Sequence, residues 1–191
     1  MKILLTFFVF FFSSLLLAND ISDFEIEGIS IGDSLLDHYT KTQINKFGKT
    51  IYPNSDKFYD LENELTKNNL NYNSISFALK NNDPNYEIYA LIGSIFYNNE
   101  IDKCKNKKDT IFSDITSNFN ISNISHYDYV YKNIGDGKSI SYISEGILEG
   151  GTFRVYCTDW SKVTEDKGNI DLLSIELMTD ENADWLISEA Y

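Results

Sequence analysis

The chain has 191 residues, of which 29 are acidic and 16 are basic, and its formal net charge at pH 7 is −13. This length favours one domain or two small ones, and a hydrophobic content of 42% suffices for a folded core, which excludes a disordered chain. The negative charge repels phosphate backbones and anionic lipid surfaces, so we expect no nucleic-acid partner.

The N-terminus predicts a secretory signal peptide over residues 1–18. Lys2 precedes an apolar run over 3–17, and Ala18 ends that run before polar residues. Cleavage after Ala18 would remove one lysine and leave residues 19–191, a single predicted domain with a formal charge of −14. No later segment is apolar for long enough to span a bilayer, so we expect a protein free in the periplasm or outside the cell.

Short helices are predicted near the start of the mature chain. Residues 23–31 alternate apolar and polar side chains around Gly28, which is typical of an extended segment broken at the glycine. Gly32-Asp33-Ser34 then indicates a turn and a helix N-cap, and Thr40-x-x-Gln43 is a capping box for a second helix.

The middle of the chain contains a predicted β-hairpin. Apolar residues alternate over 75–79, and a turn at 81–85 leads into an apolar run over 86–97. Before this hairpin the pattern is ambiguous, because it allows either a strand over Lys57–Glu62 or a short helix over Glu62–Lys67.

A helix and further strands complete the predicted fold. From Asn99 to Phe119 the apolar period is 3.6 residues, which predicts an amphipathic helix with its lysines facing away from the core. Four predicted strands follow, at 127–131, 139–148, 152–158 and 171–178. Thr179 then caps a terminal helix. Hairpins with segregated helices are typical of the α+β class, so we predict an antiparallel sheet of hairpins with helices packed on one face.

The two cysteines predict one disulfide. Cys104 lies on the apolar stripe of its helix, and Cys157 shares an alternating strand face with Phe153 and Val155, so both point into the layer between helix and sheet. Exported proteins form and keep disulfides. A bridge that closes a loop of 53 residues stabilises the fold by roughly 3–5 kcal/mol. The alternative is two buried free thiols.

The block Gly32-Asp33-Ser34-Leu35 resembles the motif that names the GDSL esterases and lipases. The resemblance implies that Ser34 is a nucleophile, which needs an adjacent base. That family supplies its histidine from an Asp-x-x-His near the C-terminus, and this sequence has no histidine after His126. His38 and His126 are therefore the candidate bases of a divergent esterase. The alternative makes Asp33 or Ser34 the cap of a helix.

Two further patterns bear on function. Tyr127, Tyr129 and Tyr131 form an aromatic stripe on one face of a strand, which indicates either a binding surface for a sugar or peptide or packing beneath a helix. His126 and Asp128 point to the same side and offer two metal ligands without a third. We therefore expect neither a metal nor a cofactor.

A longer segment, Phe24 to Tyr39, resembles the opening of uncharacterised exported proteins from small, AT-rich bacterial genomes. The segments Ile101-Asp-Lys-Cys104 and Val155-Tyr-Cys157 resemble theirs as well. That group has no assigned activity, so the resemblance implies export and a bacterial source.

These features favour a non-catalytic exported module for binding or envelope interaction, with an unidentified protein or small-molecule partner. The esterase is the alternative, and it requires His38 or His126 within hydrogen-bond reach of Ser34. A third hypothesis, a structural partner protein, predicts an uncovered sheet edge or an exposed apolar patch of roughly several hundred Å².

Overall fold

A computed structural model of the protein describes residues 20–65 and 71–191. The predicted signal peptide over residues 1–18 lies outside the described residues. The last two positions of the alternative short helix, 66 and 67, lie outside them as well.

Eight strands form one antiparallel sheet. They are β1 (Gly48–Ile51), β2 (Phe58–Glu64), β3 (Ser74–Lys80), β4 (Ile88–Phe96), β5 (Ser122–Val130), β6 (Ile140–Leu148), β7 (Gly151–Asp159) and β8 (Leu172–Thr179). The spatial order is β1-β2-β3-β4-β8-β7-β6-β5, so β1 and β5 are the edges. The α+β class and the antiparallel sheet are confirmed, and β2 decides the ambiguous segment in favour of a strand.

Five α-helices accompany the sheet in the described part of the chain. They are α1 (Leu35–His38), α2 (Lys41–Ile44), α3 (Ile101–Asn118), α4 (Lys162–Glu165) and α5 (Asp180–Ser188). The Ser34 hydroxyl caps α1, Thr40 and Gln43 form the reciprocal capping box of α2, and Thr179 caps α5. These predicted caps and the long amphipathic helix are confirmed.

The helices lie on both faces of the sheet. Phe112 of α3 belongs to the core that contains Leu177 of β8, whereas Leu186 of α5 packs near the next strand residue, Met178. Because successive strand residues point to opposite sides, α3 and α5 cover opposite faces, called here the α3 face and the α5 face. The prediction of a single helical face was wrong, since helical periodicity identifies the apolar side of a helix but not the sheet face that receives it.

The α3 face carries the main core. Beside α3, the N-terminal segment covers this face with four buried isoleucines, Ile21, Ile26, Ile29 and Ile31. The segment is not the extended strand that its alternation indicated. Residues 21–23 form a 3-10 turn, and Ile26 pairs only with Ile29 across a turn at Gly28, whose φ is +76°. The predicted break at Gly28 is present, and the isoleucines pack onto the sheet instead of extending it.

The disulfide joins α3 to β7 as predicted. Cys104 and Cys157 are bonded, their Cα atoms are 6.0 Å apart, and both side chains are fully buried beside Leu173. The bridge therefore fastens the long helix to a central strand of the sheet.

The α5 face is only partly covered. Helix α5 packs on β4, β7 and β8, and Trp185 lies against Phe58 of β2. On β5 the side chains of this face, Tyr127 and Tyr129, stay exposed to solvent. The half of the face nearest β5 is therefore open.

Candidate functional site

A row of tyrosines crosses the open half of the α5 face. Tyr127 and Tyr129 are 40% and 54% exposed, and the strand register sets them beside Ile143 and Ser141 of β6. Tyr131 continues the row past the end of β5, with its ring 5.0 Å from that of Tyr129 in an edge-to-face arrangement. The two strand tyrosines are thus not packed beneath a helix, which was the alternative to a binding surface.

Three charged side chains lie next to the tyrosines. The register aligns Glu145 of β6, Arg154 of β7 and Glu176 of β8 in one row. Arg154, the only arginine of the chain, donates a hydrogen bond from Nε to Glu145 and lies 3.7 Å from a carboxylate oxygen of Glu176. Tyr127 donates its hydroxyl to the same Glu145 oxygen at 3.1 Å. The first tyrosine is thereby tied to the charged row.

A second group of aromatic rings closes the far side of this surface. Tyr52 lies edge to face with Trp185 of α5 at 4.8 Å and with Tyr191 at 5.5 Å between ring centroids. Partial burial and then neighbouring Asp60, Tyr129 and Tyr131 raise the pKa of Tyr191. The C-terminal tyrosine is therefore close enough to the β5 tyrosines to interact with them electrostatically.

We call this surface the tyrosine face. It comprises the tyrosine row (Tyr127, Tyr129, Tyr131), the charged row (Glu145, Arg154, Glu176) and the opposite aromatic side (Tyr52, Tyr191). It is lined by rings that offer broad apolar contact and hydroxyl groups that form hydrogen bonds.

The tyrosine face carries more acidic than basic side chains. Burial raises the pKa of Glu176, and Asp60 and Glu145 raise it further, although the charge of Arg154 opposes them. Burial also raises the pKa of Asp60, whose carboxylate accepts a hydrogen bond from the Tyr52 hydroxyl. Arg154 pairs with Glu145 and Glu176, and Asp60 adds a third carboxyl group beside Tyr52, so the face is electrostatically suited to receive a cationic group.

Ser34 is not paired with either candidate base. Besides capping α1, its hydroxyl donates to the backbone oxygen of Asn85 at 2.5 Å. His38 Nε2 lies 3.2 Å from a carboxylate oxygen of Asp33, and His126 bonds elsewhere on the sheet. Among the described residues, no hydrogen bond joins Ser34 to His38 or His126. The arrangement is that of a helix cap that also anchors the loop before β4.

A polar cluster beneath α3 was not predicted from the sequence. Lys108 Nζ donates to the Ser144 hydroxyl at 2.8 Å, and His126 Nδ1 lies 2.9 Å from the same oxygen. Lys108 is only 8% exposed, so the prediction that the lysines of this helix face away from the core is wrong at this position. The burial of Lys108 could have been predicted from helical spacing, because Lys108 lies four residues after Cys104 and four before Phe112, on the buried stripe.

The cluster contains the groups that could activate a serine, but a substrate cannot reach Ser144. A surface cavity of about 410 Å³ opens beside it, lined among others by Lys108, His126 and Tyr142. Ser144 itself is 1% exposed and does not line that cavity. A nucleophile must reach the substrate carbonyl, so we interpret these contacts as a satisfied buried network.

His126 and Asp128 both project on the α3 face of β5. In residues 20–65 and 71–191, no group of three or more histidine, cysteine or acidic side chains is arranged to hold a metal ion. Over the same residues, no helix is both long and apolar enough to cross a membrane.

Fold and surface together define a class: an acidic α+β protein with one eight-stranded antiparallel sheet, a disulfide-fastened helix on one face and a half-open aromatic surface on the other. Comparison with protein-family models, curated proteins and solved structures gives no match to this chain.

Proposed function

We propose that this protein is an exported, non-catalytic binding module that holds a partner protein against the tyrosine face. The observation that carries the proposal is the tyrosine row, with Tyr127 and Tyr129 exposed, beside a partly buried charged row on a half-open sheet face. Tyrosine, tryptophan and arginine are the residues that dominate binding energy in protein interfaces, because they combine large rigid contact areas with hydrogen-bonding groups.

The partner segment that fits this surface carries lysine or arginine next to apolar side chains. Glu145, Glu176 and Asp60 outnumber Arg154, so a cation of the partner would meet more carboxyl groups than cations on this surface. The acidic net charge of the chain also attracts a basic partner at long range.

Export is part of the same proposal. It is supported by the signal-peptide pattern over residues 1–18 and by the bond between Cys104 and Cys157, since disulfides persist in oxidising compartments. The resemblance of Phe24 to Tyr39 to exported proteins of small bacterial genomes points the same way.

A titration with defined peptides tests the proposal. The probes are an octapeptide of alternating lysine and leucine and its counterpart with glutamate for lysine, measured by calorimetry against the mature chain. We expect the lysine peptide to bind and the glutamate peptide not to bind. Tyr129→Ala should weaken binding about tenfold, the effect of removing about 1–2 kcal/mol of interface contact.

Matched controls separate a specific surface from general attraction. Ile187→Ala truncates a residue that is 81% exposed on α5, and Glu25→Gln removes the same charge as Glu176→Gln at an exposed position outside the tyrosine face. Glu176→Gln should weaken binding clearly more than Glu25→Gln. The proposal is contradicted if Tyr129→Ala and Ile187→Ala weaken binding equally, or if Glu176→Gln and Glu25→Gln do so. Equal binding of the lysine and glutamate peptides would contradict it as well.

A further inference from the structure

The two edges of the sheet differ in how well they are protected. Strand β1 has four residues and carries Lys49, whereas β5 has nine residues with neither lysine nor proline. Short length, edge lysines and prolines are the usual means by which proteins prevent a free edge from pairing with another chain. The bulge between Ser122 and Ser125 interrupts only the start of β5, so Ser125–Val130 remains a regular edge.

The backbone groups that point outward from β5 can be assigned. Tyr131 N–H donates to the Ser139 carbonyl, and the pairing continues without a shift to Ser125. Hydrogen-bonded pairs alternate along an antiparallel ladder, so Tyr127 and Tyr129 bond to β6, while the N–H and C=O groups of His126 and Asp128 face away from the sheet. Within the described part of the chain, no backbone hydrogen bond from another segment reaches these outward groups.

The polar cluster under α3 occupies one nitrogen of the His126 ring. Lys108 can only donate, so the Ser144 oxygen accepts from it, and the hydroxyl proton is free to bond to His126 Nδ1. With the hydroxyl proton on that bond, the proton of neutral His126 is on Nε2. The ring is also packed against Phe112 at 5.2 Å. Nδ1 is thus engaged by Ser144, and Nε2 is the ring nitrogen left to bond to a group at the open edge.

We propose that two copies of this chain pair through β5, antiparallel, about a two-fold axis at Tyr127. In this register His126 lies opposite the partner's Asp128 and Asp128 lies opposite the partner's His126, so each imidazole faces a carboxylate. Tyr127 meets its symmetry mate in the closely spaced, non-hydrogen-bonded position.

The neighbouring register is disfavoured. An axis at Asp128 would set two like-charged carboxylates directly opposite each other, which destabilises a strand pair. Only an axis at Tyr127, the central residue of His126-Tyr127-Asp128, sets each histidine opposite an aspartate. Pairing by β5 joins the two sheets and brings the two tyrosine rows side by side, but it does not depend on what the tyrosine face binds.

Sedimentation velocity of the mature chain from about 1 to 200 µM measures the association, which should be weak because the contact is small. Asp128→Lys should weaken the dimer at least about tenfold, and combining it with His126→Glu should restore it by placing a carboxylate opposite each new ammonium group. Asp128→Pro removes an outward N–H without breaking the ladder to β6, so it should give a folded monomer.

Single cysteines determine the register. Strand residues in a non-hydrogen-bonded pair have Cα atoms about 4.5 Å apart, within the range that a disulfide spans. Under mild oxidation, Tyr127→Cys should cross-link into dimers, whereas Asp128→Cys and Tyr129→Cys should remain monomeric on a denaturing gel. The inference is overturned by a wild-type chain that stays monomeric throughout the range, by equal cross-linking at all three positions, or by failure of the charge exchange to restore the dimer.

Discussion

Removal of the bond between α3 and β7 should cost the fold several kcal/mol. The bridge closes a loop of 53 residues between Cys104 and Cys157. On the chain-entropy treatment, opening a loop of that length returns about 14 cal/mol/K to the unfolded chain, or about 4 kcal/mol at 25 °C. The double variant Cys104→Ala and Cys157→Ala keeps the site apolar, so this entropy should dominate its loss of stability.

Urea unfolding followed by circular dichroism measures the difference. With a slope of about 2 kcal/mol per molar urea, the expected loss lowers the unfolding midpoint by about 2 M. Wild-type protein reduced while unfolded and then refolded under reducing conditions is the matched control, and it should resemble the double variant. A loss below about 1 kcal/mol for both would refute the argument that the bridge acts by restricting the unfolded chain.

Three further predictions concern single side chains. Ser34→Ala should leave the protein equally unlabelled by a fluorophosphonate probe and lower its stability by about 1 kcal/mol through loss of the α1 cap, whereas labelling of the wild type alone would restore the esterase hypothesis. The pKa of Glu176 is raised in the folded state, chiefly by burial, so the contribution of Glu176 to stability falls as the pH rises above the ordinary carboxyl range. Glu176→Gln should therefore flatten the fall in melting temperature between pH 4 and 8. An unchanged pH profile in the variant would contradict this prediction. Lys108→Met should change the unfolding free energy by less than about 2 kcal/mol in either direction, because Ser144 keeps His126 as a partner; a larger loss in urea titrations would show that the buried ammonium is essential.

Local features of the fold could be predicted from the sequence because their causes lie within a few residues. The caps at Ser34, Thr40 and Thr179 depend on side chains that reach only two or three positions along the chain. Strand β1 was missed because all four of its residues are exposed and therefore show no alternation. Helix α4 was missed because a single turn has no measurable period.

The candidate site could be predicted only in part, because most of its contacts join residues that are far apart in the sequence. The alternation of Tyr127, Tyr129 and Tyr131 is visible in one strand, but the row of Glu145, Arg154 and Glu176 exists only through the register of three strands. Which face α5 covers, and hence which tyrosines remain open, is set by long-range packing that periodicity does not encode.

The approach of Tyr52 to Tyr191 likewise depends on chain segments 139 positions apart in sequence. Lys108 is the exception, because its position on the stripe of Cys104 and Phe112 was readable from helical spacing alone. A charged residue on a buried stripe therefore merits attention at the sequence level.

The proposed function requires that ligands bind to the tyrosine face. Backbone amide chemical shifts of residues 19–191, recorded during titration with the lysine–leucine octapeptide, show where the peptide binds. We expect the largest changes in chemical shift at Tyr127, Tyr129, Arg154 and Glu176. Largest changes at Ile187 on the outside of α5, at Lys105 on α3, or scattered over the whole surface would contradict it.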